Sequence, residues 1–254
     1  HAMFREVLAQ HPLADLPHAA ATAAFDAAVA RHAPHLAGII VEPLVQGAGG
    51  MRFHPPAVLR HLRATADALG VPLILDEIFT GFGRTGTMFA MQQAGIVPDL
   101  VTLSKALTGG TLPLSACIAS RALFETFEDQ ALMHGPTYMG NALACAAANA
   151  SLDLFEREDR LGQARAIEAA LETGLAPCRP HAAVAEVRVL GAIGVVQLRE
   201  PPDLAALRAA FLARGTWVRP LRDVIYLTPA LTIPAADLAR LTEAVVAVTA
   251  ALPG

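Results

Sequence analysis

The sequence predicts an α/β protein: a partial, mainly parallel sheet with flanking helices, followed by a small C-terminal α+β domain. Three observations predict it. Short apolar runs, AGIIVEPL (37–44), VPLILDEI (71–78), DLVTLSK (99–105) and LSACIAS (114–120), alternate with helix-like segments, the pattern of parallel βαβ units with both sheet faces covered. The texture changes near residue 155, where charged helices and paired short strands replace that alternation. A chain of 254 residues is long enough for one large core or two modest domains.

Taken in order, residues 21–33 read as a lead-in helix, and AGIIVEPL as a buried strand that stops at a proline. A helix over 56–69 is closed by Gly70 and leads into the strand VPLILDEI. Two further strands, 99–105 and 114–120, follow. Asn141 caps an Ala-rich helix over 142–156, because its side chain can accept from a free backbone N–H of the first turn. Beyond it the pattern predicts a charged helix (158–173), strands at 184–190 and 192–198 about Gly191, a helix (203–214), short strands at 216–219 and 224–228, and a terminal helix from 234. The domains expected are therefore 1–154 and 155–254.

Bulk properties exclude several classes. Net charge is −4, and no basic stripe with interleaved aromatics marks a nucleic-acid surface. Although 54% of residues are hydrophobic, the apolar runs fall short of the ~20 residues that span a bilayer, so no membrane partner is expected. The opening HAMFREVLAQ has no apolar secretory core. Cys117, Cys145 and Cys178 lie far apart without a Cys-x-x-Cys pair, as in a reduced cytoplasmic chain. His32 and His35 have no second ligand pair, so they read as surface histidines and no metal is expected.

The chemistry points to one amine. Of 19 Lys plus Arg residues, Lys105 is the only lysine. A guanidinium does not deprotonate, whereas a primary amine can do so, attack a carbonyl and form a Schiff base. Lys105 also ends a predicted strand, in the turn SKALTGG, where open α/β sheets present reactive groups. The alternative is a surface lysine in an arginine-rich chain. Asp76 ends the preceding strand, so both side chains can face one crevice. A carboxylate beside a Schiff-base lysine fits pyridoxal phosphate, whose pyridinium nitrogen needs an acidic partner. Alternatively, Asp76 is a strand-end carboxylate that accepts backbone N–H groups. The following Gly81-x-Gly83-x-x-Gly86 satisfies the dinucleotide pattern, but its acids precede the glycines and Lys105 stands near where a ribose-binding acid belongs. It is better read as a shaped loop than a phosphate cradle.

The runs VEPLVQGAGGM (41–51), LILDEIFTGFGRTG (73–86), SKALTGGTLPLSA (104–116), HGPTYMGNALACAAANASL (134–152) and VRVLGAIGVV (187–196) resemble the class III aminotransferases, PLP-dependent transferases of fold type I. Within that class they most resemble the biotin-biosynthetic members. The resemblance implies that Lys105 holds pyridoxal 5'-phosphate and moves the proton between substrate and cofactor. It also implies that Asp76 pairs with the pyridinium nitrogen. Pro136 and Thr137 would reach the cofactor phosphate of a partner subunit in a homodimer, and Gly135 would lie against substrate. Arg219 would hold a substrate carboxylate, with Tyr226 where many 2-oxoglutarate-using relatives carry an arginine. Implied substrates are 8-amino-7-oxononanoate and the amino donor S-adenosylmethionine.

Glu42, a switch partner for that arginine in some relatives, is expected to be structural here, and Gln46 with Gly47–Gly50 to shape the site. The family's first portion, with a phosphate turn and an aromatic ring for the cofactor, has no counterpart in residues 1–36. That leaves the sheet short of strands, with an edge and apolar surface open. Two readings follow: the later portion of such an aminotransferase, or a non-catalytic fragment or degenerate paralogue that acts through its open surface. Another ω-aminotransferase of the class, or a nucleotide-binding protein using the glycines, is a lesser alternative.

Overall fold

The computed structural model describes residues 6–7, 10–127 and 130–253, so part of the opening decapeptide lies outside the described residues. The lead-in helix is α1 (Thr22–His32), followed by a 3-10 turn over Ala33–His35. Strand β1 (Ile39–Val41) precedes a small ribbon of β2 (Val45–Gln46) and β3 (Arg52–Phe53). Helix α2 (Pro56–Leu69) begins on a proline that has no N–H to leave unpaired, and ends at Gly70 in the left-handed region, φ 65°. Its Val58, Leu59, Leu62 and Ala66 form one buried stripe, the helical spacing of a core-facing side. Next come β4 (Leu73–Asp76), the short α3 (Met91–Ala94), β5 (Leu100–Leu103), β6 (Ala116–Ala119) and α4 (Arg121–Glu125).

These strands form one sheet in the order β1-β4-β5-β6. β1, β4 and β5 are parallel. β6 runs antiparallel to β5, so the sheet is mainly parallel, as expected. The reason for the reversal is the connection: residues 104–115 contain only a 3-10 turn, too little chain for a crossover, so the strand doubles back. The two faces are not both covered, however. Val41, Leu73, Leu75, Val101 and Leu103 are buried on one face, whereas Ile40 on the other is 64% exposed.

Helix α5 (Ala142–Arg157) is capped as expected, the Asn141 side-chain Oδ1 accepting from Ala144 N at 3.0 Å. The remaining elements are α6 (Arg160–Leu175), β7 (Val184–Leu190), β8 (Ile193–Leu198), α7 (Leu204–Leu212), β9 (Val224–Leu227) and α8 (Ala235–Ala250). β7, β8 and β9 make an antiparallel sheet. The expected strand at 216–219 does not form. Thr216 instead bonds back to Phe211 through both N–H and hydroxyl, Trp217 is exposed, and Pro220 has no N–H to offer a ladder. The two sheets share a core, because Ile193, Val195 and Val224 pack with the residues behind β1 and β4. Among the described residues no helix is long and apolar enough to cross a membrane, and no group of three or more His, Cys, Asp or Glu is placed to hold a metal.

Asp99 anchors the sheet end opposite the site. Its carboxylate accepts from Arg63 Nη1 at 2.7 Å and from Leu73 N at 2.8 Å, tying α2 to the starts of β4 and β5. Partial burial opposes the charge, but the Arg63 and Leu73 hydrogen bonds outweigh it and hold the Asp99 pKa below the ordinary range. A depressed folded-state pKa contributes stability above the unfolded value, and that stability is lost as pH falls through the folded one. Asp99→Asn is expected to cost about 1–3 kcal/mol at neutral pH. In urea unfolding the gap to wild type should shrink as pH falls below the carboxylate range.

Candidate functional site

The site is built where parallel strands end together. Asp76 is the last residue of β4 and pairs in register with Thr102 of β5, and Lys105 follows two residues after that strand. Asp76 and Lys105 are thus brought to the same sheet edge. Asp76 Oδ1 accepts from Ile78 N at 3.1 Å, as a strand-end carboxylate can, while Oδ2 has no hydrogen-bond partner among the described residues. Thr102 Oγ1, on the same face, is buried without a partner.

Lys105 is held by an unusual turn. Its φ is +47°, a left-handed conformation that costs a non-glycine residue about 1–3 kcal/mol and persists only where the surroundings enforce it. The enforcing contacts are local and specific. Ser104 Oγ donates to Leu114 O at 2.7 Å, and Thr108 Oγ1 donates to Leu112 O at 2.6 Å. The buried small residues Ala144, Ala148 and Ser151 let α5 lie close to the turn, where Ser151 Oγ donates to Ala106 O at 3.0 Å. Lys105 then lines a cavity of about 1010 Å³ with Glu42, Phe79, Arg84, Arg160 and Tyr226 among its walls.

The other expected residues divide. Tyr226 lies in the main cavity and also walls an adjoining pocket of about 230 Å³ that contains Arg219. Asp76 stands at the edge without lining the cavity. Gly135, Pro136 and Thr137 lie outside it on an exposed segment. Glu42 faces the cavity, and its Oε2 accepts from Gly47 N at 2.9 Å, fixing the turn between β2 and β3. His54 Nε2 lies 3.0 Å from Glu42 O. Burial lowers the His54 pKa, partly opposed by that contact.

Three residues escaped the sequence reading. Glu77 is fully buried and accepts from Thr80 Oγ1 at 2.7 Å, Ala90 N at 3.0 Å and Met91 N at 2.9 Å. Burial pushes its pKa up, those three bonds pull it down, and neighbouring Asp76 adds repulsion, for a net rise. Glu77 thereby locks the chain just after Asp76. Phe79 lies beneath Lys105, its ring centroid 5.1 Å from Nζ. Half-buried Arg84 donates through Nη1 to Ala192 O at 3.0 Å and Pro229 O at 2.7 Å, joining the glycine loop to the C-terminal sheet. Its desolvation lowers its pKa. The acid within an apolar strand end, followed by Thr80, was the available signal for Glu77. Arg84 and Phe79 had none, since their partners lie far along the chain.

Comparison with known proteins now decides the family. The sequence profile of "Aminotransferase class-III" matches residues 4–249. The chain belongs to the class III aminotransferases. This class is pyridoxal phosphate-dependent, and its members share the α/β architecture described above. An adenosylmethionine-8-amino-7-oxononanoate aminotransferase from Mycobacterium leprae is 41% identical over 98% of this chain and 58% of that protein. One from Buchnera aphidicola (strain APS) is 38% identical over 96% of this chain and 60% of its own length. Among solved structures, the Methanocaldococcus jannaschii enzyme of the same name matches with a TM-score of 0.89 at 28% identity, covering 98% of this chain and 62% of that one. An amine transaminase from an uncultivated Pseudomonas species, solved in its PLP-bound form, matches at 0.84 and 35% identity over 91% of this chain and 56% of that one. The chain spans about half to three-fifths of the length of these curated relatives.

This class III chain fits the pyridine end of the cofactor. The unpartnered Asp76 Oδ2, the orphaned Thr102 hydroxyl and an amine facing a cavity of this size are what a cationic ring and its aldehyde carbon require. The glycine loop fits against the C-terminal sheet just as closely. A Cβ at Gly191, φ +53°, would lie 2.5 Å from Gly86 N and 2.6 Å from Arg84 O. Gly191→Ala is therefore expected to cost about 1–2 kcal/mol for the left-handed backbone and about 1–3 kcal/mol for the clash. Gly95→Ala, also left-handed but with open space beside it, should lose the first amount alone, and urea unfolding of the two variants separates the effects.

Proposed function

We propose that these residues form the lysine-bearing part of a transaminase that moves an amino group from S-adenosylmethionine to 8-amino-7-oxononanoate, yielding 7,8-diaminononanoate for biotin biosynthesis. The rest of the pocket comes from a portion present in the relatives but outside the matched region. The observation that carries this reading is that the chain's only lysine, in an enforced left-handed turn, lines the main cavity at the sheet edge shared with Asp76.

When bound, pyridoxal phosphate supplies an electron sink for the carbanion formed at the substrate carbon. Lys105 would hold the cofactor aldehyde through its amine, and that amine, once free and neutral, would serve as the base and acid that moves the proton between substrate and cofactor. Asp76, through the oxygen that Ile78 leaves free, keeps the ring nitrogen protonated, and Glu77 fixes the chain beside it. Arg219 receives the carboxylate of the oxononanoate in its small pocket, and Tyr226, the shared wall, sets the path between that pocket and Lys105. Residues 1–154 serve as the cofactor-binding part and 155–254 as a smaller substrate-side unit.

The reading places Gly135 against substrate and Pro136 with Thr137 at the phosphate of a second subunit's cofactor. Their position outside the cavity supports that arrangement. So does the apolar surface around them, where Met133, Tyr138 and Leu143 are all largely exposed, as an unpaired homodimer interface would be. A cytoplasmic location agrees with three free cysteines.

Titration of the purified chain with pyridoxal phosphate is expected to produce a visible Schiff-base absorption band that Lys105→Ala abolishes. Subsequent S-adenosylmethionine should convert it to the pyridoxamine form. No lysine-dependent band would remove cofactor binding from this chain, and conversion by other amines but not by S-adenosylmethionine would remove the donor.

A further inference from the structure

We propose that Phe79 is a positioning residue whose ring holds the protonated amine of Lys105 and keeps it aimed into the cavity. This rests on the reading of Lys105 as the cofactor's anchor. Two independent observations meet at this contact. The left-handed backbone at residue 105, φ +47°, directs the side chain away from the path that an ordinary turn would give it. The aromatic face of Phe79 then lies 5.1 Å from Nζ, within the range where a ring quadrupole attracts an ammonium.

No carboxylate competes for the amine. Among the described residues Lys105 makes no ion pair, since none of the salt bridges includes it. The titratable and charged groups around the cavity are accounted for. Glu42 is engaged by Gly47 N, Arg84 by two carbonyls and Arg160 by Glu158 and Gln163, while Asp76, with Oδ1 on Ile78 N, stands outside the lining and makes no ion pair with Lys105. Tyr226 is the remaining titratable wall. The ring is therefore the principal partner of the ammonium.

Phe79 is itself well placed to serve. It follows Asp76 by three residues, and Glu77 between them is locked by three hydrogen bonds. On the other side, a Cβ at Gly47 would touch the Phe79 ring at 3.4 Å, so the turn between β2 and β3 closes over the ring edge. Asp76 and the ring under Lys105 thus belong to one rigid segment. A Lys105 amine freed from the cofactor would rest against this ring only while protonated, and would leave it, neutral, to act as a base.

Because the chain has one lysine, the amine can be read chemically without cofactor. The probe is 2,4,6-trinitrobenzenesulfonate, which reacts only with the unprotonated amine, and the Lys105→Ala background removes the amino-terminal contribution. An exposed cation–π contact of about 0.5–1 kcal/mol corresponds to a change of about 2- to 5-fold. Phe79→Leu is expected to react that much faster than wild type at neutral pH, and Phe79→Trp, with the stronger aromatic face, more slowly. At the alkaline plateau, where the amine carries no proton, all three rates should converge.

Equal rates for the wild type and the Leu variant at neutral pH, or a difference that persists on the plateau as a steric effect would, overturns the proposal. Should the Leu variant fold poorly by circular dichroism, the Trp variant alone decides: slower at neutral pH and equal on the plateau supports the ring, and any other result overturns it. If the rates behave as expected but no lysine-dependent cofactor band forms, the ring contact stands and the transaminase reading fails.

Discussion

One backbone turn carries the site. Residue 105 occupies a left-handed conformation that a lysine does not choose unaided, and the fold supplies the forces that hold it there. Hydroxyls of Ser104 and Thr108 close the loop against Leu114 and Leu112. A third hydroxyl, from Ser151, reaches it from α5. Small side chains on that helix allow the approach, so an Ala-rich sequence that looks merely helical has a spatial purpose. The parallel pairing of β4 with β5 then determines which carboxylate shares the edge.

The second sheet depends on the same region. Arg84 is half-buried without a carboxylate partner and donates instead to the carbonyls of Ala192 and Pro229. The β7–β8 turn reciprocates, with Ala192 N donating to Arg84 O and Gly191 packed too closely for a side chain. A glycine loop that resembles a nucleotide cradle is instead the joint between the sheet that presents Lys105 and the one that presents Tyr226. Its glycines are needed for backbone approach, not for phosphate. That joint sets the distance across the cavity between the amine and the pocket of Arg219.

Most of the architecture was legible because it depends on local patterns. Helix α2 with its closing Gly70, the Asn141 cap and the paired strands about Gly191 all follow from spacing and from residues with one conformational use. The direction of β6 could not be read, because an apolar run does not reveal whether the connection before it is long enough for a crossover. The strand at 216–219 failed because Thr216 finds its hydrogen bonds on the preceding helix. For the site, Lys105 and Asp76 could be singled out from composition and strand ends. Phe79 could not, since its role exists only once β4 and β5 lie side by side. Glu77 and Arg84 are set by contacts that no periodicity encodes. The segment 135–137 illustrates the opposite limit: its residues were named by resemblance, and they lie on a surface whose counterpart belongs to another chain in the proposed dimer.

The central claim is that the single amine at the sheet edge is the one that captures a cofactor aldehyde. Its most direct test is to incubate the chain with pyridoxal phosphate, reduce with borohydride and map the adduct by peptide mass spectrometry. The account predicts one stoichiometric phosphopyridoxyl group on the peptide containing Lys105, diminished when Asp76 is replaced by Asn. An adduct confined to the amino-terminal amine, or no adduct at all, would contradict it.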